Sequence, residues 1–160
     1  MQALTQALLT SCDNVATQGE WITSVCAAVN DVDAAEAAWK PAEEEHSIAE
    51  IVGHILAWTA WAVRFLGGQD TEVIDWPPVT TADPAEWDDL RRELTETLVA
   101  FRREIATLSS DALFVVPVPA VTQTNRMLGI QSILVHNAYH AGQITQLHQQ
   151  YLRHLAGSAR

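Results

Sequence analysis

The apolar residues of this chain recur at every third or fourth position over long stretches, which is the period of an α-helix. The first stretch predicts one long helix over residues 2–30, with Gly19 as its weakest point. The polar sequence NDVD at residues 30–33 ends it, and Pro41 in the following link prevents simple continuation. The apolar stripe consists of Leu4, Leu8, Cys12, Val15, Ile22, Cys26 and Val29.

The second helix has the clearest beginning in the chain. Ser47 and Glu50 stand three residues apart in the sequence SIAE, which is the pattern of a capping box. An apolar stripe then continues to the glycine pair at residues 67 and 68, which predicts a helix of about twenty residues. His54 lies on the flank of that stripe, about two turns into the helix.

Two more helices are predicted in the second half of the chain. One begins at Asp83 and Pro84, which suit the N-cap and the first turn, and runs to about residue 108 with a charged outer face. The other covers about residues 125–155. Between them, residues 109–124 are apolar and β-branched and contain two prolines, which predicts an extended crossover with a short strand.

Four long helices around one core predict an all-α fold, a four-helix bundle. The length of 160 residues suits a single domain over residues 1–160. Proteins of this architecture place metal and cofactor sites in the bundle interior, on facing helices.

The composition excludes several classes of partner. A formal net charge of −11 repels phosphate backbones and anionic membranes, and the basic pairs at residues 91–92 and 102–103 are diluted by neighbouring acids. We therefore predict no nucleic-acid binding and no membrane association. The N-terminus lacks the basic region and apolar run of a secretory signal, and no uninterrupted apolar stretch approaches a membrane span. The predicted location is the cytoplasm.

The two cysteines, Cys12 and Cys26, are predicted to be small core residues, because both fall on the apolar stripe of the first helix. On one continuous helix they would lie roughly 21 Å apart, whereas a disulfide needs Cα atoms within about 7 Å. We therefore predict that they do not pair.

The sequence HNAYH provides the first candidate chemistry. On a helix, His136 and His140 lie one turn apart on a face that they share with apolar residues, so both rings are predicted to point inward. Their nitrogens can then reach one ion at about 2.0 to 2.1 Å. Asn137 follows His136 where the metallopeptidase pattern H-E-x-x-H has glutamate, which argues against a peptidase. Two ligands alone leave two interpretations open, a metal site or a pair of structural polar residues.

A third histidine favours the metal. His54 is predicted to lie beside the core, where a neutral imidazole needs a partner, and an ion shared with the fourth helix would supply it. His46 directly precedes the second helix, where a hydrophobic staple or a capping contact explains it. His148 is predicted to be solvated, and His154 lies near the terminus, where we assign it no role.

Two stretches together resemble the DinB-like (DinB/YfiT) superfamily of metal-dependent enzymes. They are WKPAEEEHSIAEIVGHILAW around the start of the second helix and HNAYHAGQI in the fourth. The resemblance covers most of the chain. It implies an up-down-down-up four-helix bundle, often a homodimer, with a zinc or nickel ion held by His54, His136 and His140. Gln143 matches the same pattern, in which it either orients one of these ligands or packs as a polar residue between helices.

Relatives in that group include bacillithiol transferases and a mycothiol-dependent maleylpyruvate isomerase, so the resemblance implies a thiol S-transferase that acts on a small molecule. A divalent ion with an open position binds a low-molecular-weight thiol and lowers its pKa, which yields a thiolate nucleophile at neutral pH. The cysteines of the first helix show no sign of reaching the metal, so a cosubstrate has to supply the thiol. Two alternatives stay open: a hydrolase that uses a metal-bound water, and a non-catalytic stress protein that binds a metal or an apolar ligand.

Six tryptophans bear on the shape of the pocket. Trp58 stands four residues after His54 on the second helix, and Trp58 and Trp61 are predicted to lie around the metal pocket. Trp61 and Trp76 are candidates for its entrance, although packing in the core explains all six tryptophans more simply.

Overall fold

Every regular element in the described part of the chain is helical. The computed structural model describes residues 2–69, 72–79 and 83–158. Their α-helices are α1 (Gln2–Asp13), α2 (Val25–Asn30), α3 (Ala34–Ala38), α4 (Ile48–Leu66), α5 (Pro84–Thr107) and α6 (Arg126–Ser158). A π-helical turn (Asn14–Gln18) follows α1, and a 3-10 turn (Ala112–Phe114) precedes α6. The predicted all-α class is confirmed, whereas the up-down-down-up order of a four-helix bundle stays a prediction.

The first predicted helix is in fact two helices. Gly19 adopts a left-handed backbone with φ of +66°, and its N–H donates to the carbonyl of Asn14 at 3.0 Å. A Cβ at this position would lie 2.9 Å from the carbonyl oxygen of Ile22, so the turn requires glycine. The chain restarts as α2 after Ser24, whose hydroxyl accepts from the N–H of Ala27 at 3.2 Å. The prediction of one helix over residues 2–30 was wrong, because the apolar spacing continues across a glycine that ends the helix.

The break places the two cysteines on different helices. Cys12 on α1 is buried in the core, Cys26 on α2 is partly exposed, and both thiols are free. They do not lie on the single continuous helix that the sequence predicts.

Hydrogen bonds from capping side chains mark the first turns of α4 and α5 at the residues that the sequence predicts. At α4 the hydroxyl of Ser47 accepts from the N–H of Glu50 at 3.2 Å, and the N–H of Ser47 donates to the Glu50 carboxylate at 3.0 Å. Lys40 pairs with the same carboxylate at 2.7 Å, which ties the preceding link to α4. At α5 the Asp83 carboxylate accepts from the N–H of Ala85 at 2.7 Å. The capping box and the start of the third long helix are confirmed.

Helix α4 lies at the centre of the packing, in contact with α3, α5 and α6. Phe65 on α4, together with Trp87 and Phe101 on α5, is among the largest buried side chains of the core. Gly129 lets α6 approach α4 closely, because a Cβ there would lie 2.6 Å from the Phe65 ring. This close approach brings the facing side chains of α4 and α6 into contact.

Helix α4 is also the one described helix that is long and apolar enough, by length and composition alone, to cross a membrane. Of its most apolar window, 56% is buried inside the protein. Packing therefore explains its apolar character, as expected for the central helix of a core.

The connection between α5 and α6 contains no strand within residues 109–124, so the predicted short strand is wrong. The guanidinium of Arg126 donates to the carbonyl of Leu66 at 2.8 Å, and the N–H of Arg126 donates to the carbonyl of Val115 at 3.2 Å. The connection and the start of α6 are thereby joined to the C-terminal end of α4.

The sequence predicts that His148 is solvated, but the structure pairs its ring with a buried acid. Its Nδ1 lies 2.6 Å from Oε1 of Glu36, an α3 side chain that is only 4% exposed. Burial raises the pKa of Glu36, and the hydrogen bond to His148 opposes that rise. The helical periodicity of α6 could not show this contact, because the partner comes from the link before α4.

Candidate metal centre

Three histidine side chains meet where α4 packs on α6. His54 comes from the second turn of α4, and His136 and His140 lie one turn apart on α6. The Nε2 atom of His136 lies 2.8 Å from that of His54 and 3.2 Å from that of His140. Nitrogen ligands of one ion, each about 2.0–2.1 Å from it, lie roughly 3 Å apart. These three histidines are the group of potential metal ligands found among the described residues.

The other nitrogen of each ring faces an oxygen of a neighbouring residue. The Nδ1 contacts are His54 with the backbone carbonyl of Asp75 at 2.5 Å, His140 with Oε1 of Gln143 at 2.6 Å, and His136 with Oδ1 of Asn137 at 3.1 Å. Carbonyl and amide oxygens only accept hydrogen bonds, so each Nδ1 carries the proton and each Nε2 keeps its lone pair.

This arrangement fits a cation. Three Nε2 lone pairs converge on one another, and a positive ion bound between them would relieve their mutual repulsion. Burial lowers the pKa of His136, and it lowers the pKa of His140 to about 4, so both rings are neutral at pH 7. A set of neutral imidazole donors suits a divalent transition metal.

The amide oxygens that face the histidines are themselves oriented. Asn137 is 1% exposed and donates from Nδ2 to the buried hydroxyl of Thr59 at 3.1 Å. Gln143 donates from Nε2 to the Tyr139 hydroxyl at 3.1 Å. Gln143 therefore contacts His140 as a ligand-orienting residue would. The sequence did not predict these roles of Asn137 and Thr59, although a threonine within the apolar stripe of α4 is a visible signal.

Trp76 covers the His54 side of the group. Its ring stacks on that of His54, with centroids 4.0 Å apart and planes 12° from parallel. Its ring also stacks on His46, with centroids 3.6 Å apart and planes 2° from parallel. His46 in turn lies 3.4 Å from the Glu50 carboxylate. Trp76 is thus held between two imidazoles, one of them in the histidine group.

Two further contacts hold the segment of residues 72–79 against α4. The indole Nε1 of Trp58 donates to Oδ1 of Asp75 at 2.6 Å. Gly53 permits close approach, because a Cβ there would lie 2.5 Å from Cγ2 of Val79. The sequence predicts only a loop here, so neither Asp75 nor its part in the site could be found from periodicity.

The predicted pocket tryptophans lie at different distances from the histidines. The centroid of Trp58 is 6.2 Å from that of His136. Trp61 contacts Trp58 edge-on at 5.6 Å and stacks on Phe65 at 4.9 Å, so it packs behind Trp58.

A cavity of about 810 Å³ opens beside the histidine group, and His140 and Trp76 form part of its wall. This volume is within the range of small-molecule sites, roughly 300–1,000 Å³. Tyr139 and Gln143 also line it, whereas Trp61 is not among its lining residues. The cavity places space for a ligand next to one of the three histidines.

Comparison with known families identifies the chain. A family model described as the DinB superfamily matches residues 23–144, a region that includes all three histidines and Gln143. The chain belongs to the DinB superfamily, as its sequence motifs indicate. No curated protein and no solved structure matches it.

Proposed function

We propose that this member of the DinB superfamily is a metal-dependent thiol S-transferase. One observation carries the proposal: three Nε2 lone pairs converge at the spacing of a metal site while an oxygen engages every Nδ1. A divalent ion bound by His54, His136 and His140 would lower the pKa of a thiol that binds to it, so that thiolate is available near neutral pH.

The three ligands themselves add no negative charge. An ion held by neutral imidazoles keeps its positive charge, which favours an anion such as a thiolate as the next ligand. Three protein ligands also leave a further position open, which is typical of catalytic rather than structural zinc sites. The cavity beside His140 offers space for the thiol and for the electrophile that it attacks.

The protein's own thiols are poorly suited to be the nucleophile. Neither cysteine belongs to the histidine group. Burial raises the pKa of both thiols, that of Cys12 to about 12. Protonated buried thiols react slowly, so the nucleophile in this proposal is a low-molecular-weight cosubstrate.

Zinc and nickel are the metals that we propose, since imidazole nitrogen suits both. The homodimer, the cytoplasmic location and the absence of nucleic-acid and membrane partners remain predictions from the sequence.

A hydrolase would use the same three histidines, with water in place of the thiol. The position that the three ligands leave open supports this second candidate as well. A panel of electrophiles assayed with and without a small thiol separates the two. Turnover that requires the thiol supports the transferase, and turnover without it supports the hydrolase. Metal and ligand binding without any turnover would favour a non-catalytic protein.

Metal content tests the site itself. Untagged protein is reconstituted with zinc or nickel, freed of excess ion and analysed by elemental mass spectrometry. We expect about one equivalent of metal in the native protein and none in His54→Ala or His140→Ala. His154→Ala is the matched control, because it removes an exposed histidine from the same helix and should retain the metal. A native protein that holds neither metal after reconstitution would overturn the proposal.

A further inference from the structure

We propose that the ring of Trp76 is a gate between the cavity and the histidine group, and that His46 holds this gate closed. The inference rests on the function proposed above, because it concerns how a thiol in the cavity would reach the metal ligands. The gate itself depends only on the side chains of this protein, so it is tested on metal-free protein first.

Trp76 lies at the boundary between the cavity and the histidine group. Its ring lines the cavity and stacks on His54, with centroids 4.0 Å apart. His54 is 6% exposed and, like His136, is not among the residues that line the cavity, whereas His140 is. A ligand in the cavity therefore contacts one of the three histidines directly, and the indole separates it from a second.

The backbone beside Trp76 is anchored independently of the ring. The indole of Trp58 donates to the Asp75 carboxylate at 2.6 Å, and the side chain of Val79 packs against Gly53. The Trp76 ring is held by stacking and is 37% exposed, so it has solvent on its outer side. The ring can therefore turn about its side-chain torsions while the backbone of the segment stays in place.

His46 is placed to control that movement. It lines the cavity, and its ring stacks on Trp76 with centroids 3.6 Å apart and planes 2° from parallel. It does not belong to the histidine group, so it acts on that group through Trp76. An aromatic pair of this kind shifts an equilibrium by about two- to tenfold, which is enough to change how often the ring leaves its stack.

The two positions of the ring would serve different steps of the proposed reaction. With the ring stacked on His54, the site is shielded from water, which strengthens electrostatic interactions inside it. With the ring turned away, the cavity extends to His54 and a ligand can approach the histidine group. Trp76 would thereby control access to the metal, in addition to covering one of its ligands.

Chemical labelling of metal-free protein at pH 7 measures the opening. Diethyl pyrocarbonate modifies unprotonated imidazole, and peptide mass spectrometry gives the rate at each histidine. We expect His54 to be labelled about two- to tenfold faster in His46→Ala than in the native protein. His46→Phe is the matched control, because it also loses the contact with Glu50 but keeps a ring beside Trp76. Its His54 should be labelled at about the native rate.

Removal of the gate itself gives the upper limit. In Trp76→Ala we expect His54 to be labelled at least about tenfold faster than in the native protein. His148 is the internal reference, because it is partly buried and paired with Glu36 away from the gate, and its rate should stay unchanged. Native rates at His54 in Trp76→Ala, an equal rise in both His46 variants, or a parallel rise at His148 would each overturn the inference.

Zinc exchange distinguishes a gate from a residue that only orients His54. A gate raises the rates of zinc uptake and of release to a chelator by the same factor, so His46→Ala should raise both about two- to tenfold and change the dissociation constant less than about twofold. Faster release without faster uptake would show that Trp76 only orients His54 and would overturn the gate. A native protein that binds no zinc but shows the expected labelling of His54 would count against the proposed function alone and would still support the gate.

Discussion

The backbone carbonyl of Asp75 lies 2.5 Å from Nδ1 of His54, although 21 positions separate the two residues. The Asp75 carbonyl belongs to neither of the two helices that carry the histidines. It makes the orientation of one proposed ligand depend on the segment of residues 72–79. Because a backbone atom makes the bond, its position depends on the contacts that hold the segment in place, and the Asp75 carboxylate itself makes one of them.

Trp58 is one of the residues that hold the segment, since its indole donates to the Asp75 carboxylate. Trp58→Phe removes that donor and is expected to weaken zinc binding about tenfold, the low end for residues that orient metal ligands. Competition with a chromophoric chelator measures the affinity. Trp61→Phe is the matched control, because Trp61 packs on Trp58 and Phe65, and it should change the affinity less than about twofold. An equal loss in both variants would show that bulk, and not the hydrogen bond, is what matters.

Two glycines of α6 should respond in opposite ways to alanine. Glycine in a helix interior is less stable than alanine by roughly 0.5–1 kcal/mol, and a Cβ at Gly142 has open space, so Gly142→Ala should stabilise the fold by about that amount. A Cβ at Gly129 would meet the Phe65 ring at 2.6 Å, and overpacking of this kind costs about 1–3 kcal/mol. Gly129→Ala should therefore destabilise the fold. Urea unfolding of both variants tests the signs, and stabilisation by both would refute the close contact between α4 and α6.

The two cysteines should be unreactive in the folded protein. Burial raises the pKa of Cys12 to about 12 and also raises that of Cys26. At pH 8 the native protein should therefore react with an aromatic disulfide reagent much more slowly than the urea-unfolded chain does. Cys26 is partly exposed and should react first, which the single variants Cys12→Ala and Cys26→Ala would show. Fast reaction of Cys12 in the native state would contradict its burial.

The metal-free protein should lose stability in mild acid through His140. Its folded-state pKa of about 4 lies below the ordinary value of 6.5, so between these values the unfolded chain binds the proton and the folded protein does not. The contribution of the neutral ring is complete above pH 6.5 and is lost as the pH falls towards 4. By pH 5 the loss is about 2 kcal/mol. His140→Asn cannot titrate there, so its free energy of unfolding should change less between pH 7 and pH 5. An identical change in the native protein and in His140→Asn would show that His140 does not cause the loss of stability.

Those parts of the fold that depend on local chemistry could be predicted from the sequence. The capping box of Ser47 and Glu50 determines where α4 begins, and both residues lie close together in the chain. The pair His136 and His140 needs only the helix period to share a face. The position of His54 opposite them depends on how α4 packs on α6. Periodicity predicted that His54 lies beside the core and could share an ion with the fourth helix, and the family resemblance named it as the third ligand.

The predictions from the sequence fail where a distant or irregular segment determines the local structure. Apolar spacing persists across Gly19, so it could not reveal the left-handed turn that ends α1 there. Asp75 and Trp76 reach His54 from a segment without periodicity. Glu36 pairs with His148 across 112 positions, which no pattern within α6 encodes.

The contact between His54 and His136 joins positions 82 apart in the chain, and it has a consequence for how the protein would unfold. An unfolded chain offers only the local pair on α6, so an ion bound by all three histidines would bind almost exclusively to the folded state. Free metal at one hundred times its dissociation constant would then add about 2.7 kcal/mol to the free energy of unfolding. Removal of the ion by a chelator would lower the melting temperature as well as abolish the proposed activity, so the supply of metal would also determine how much of the protein is folded.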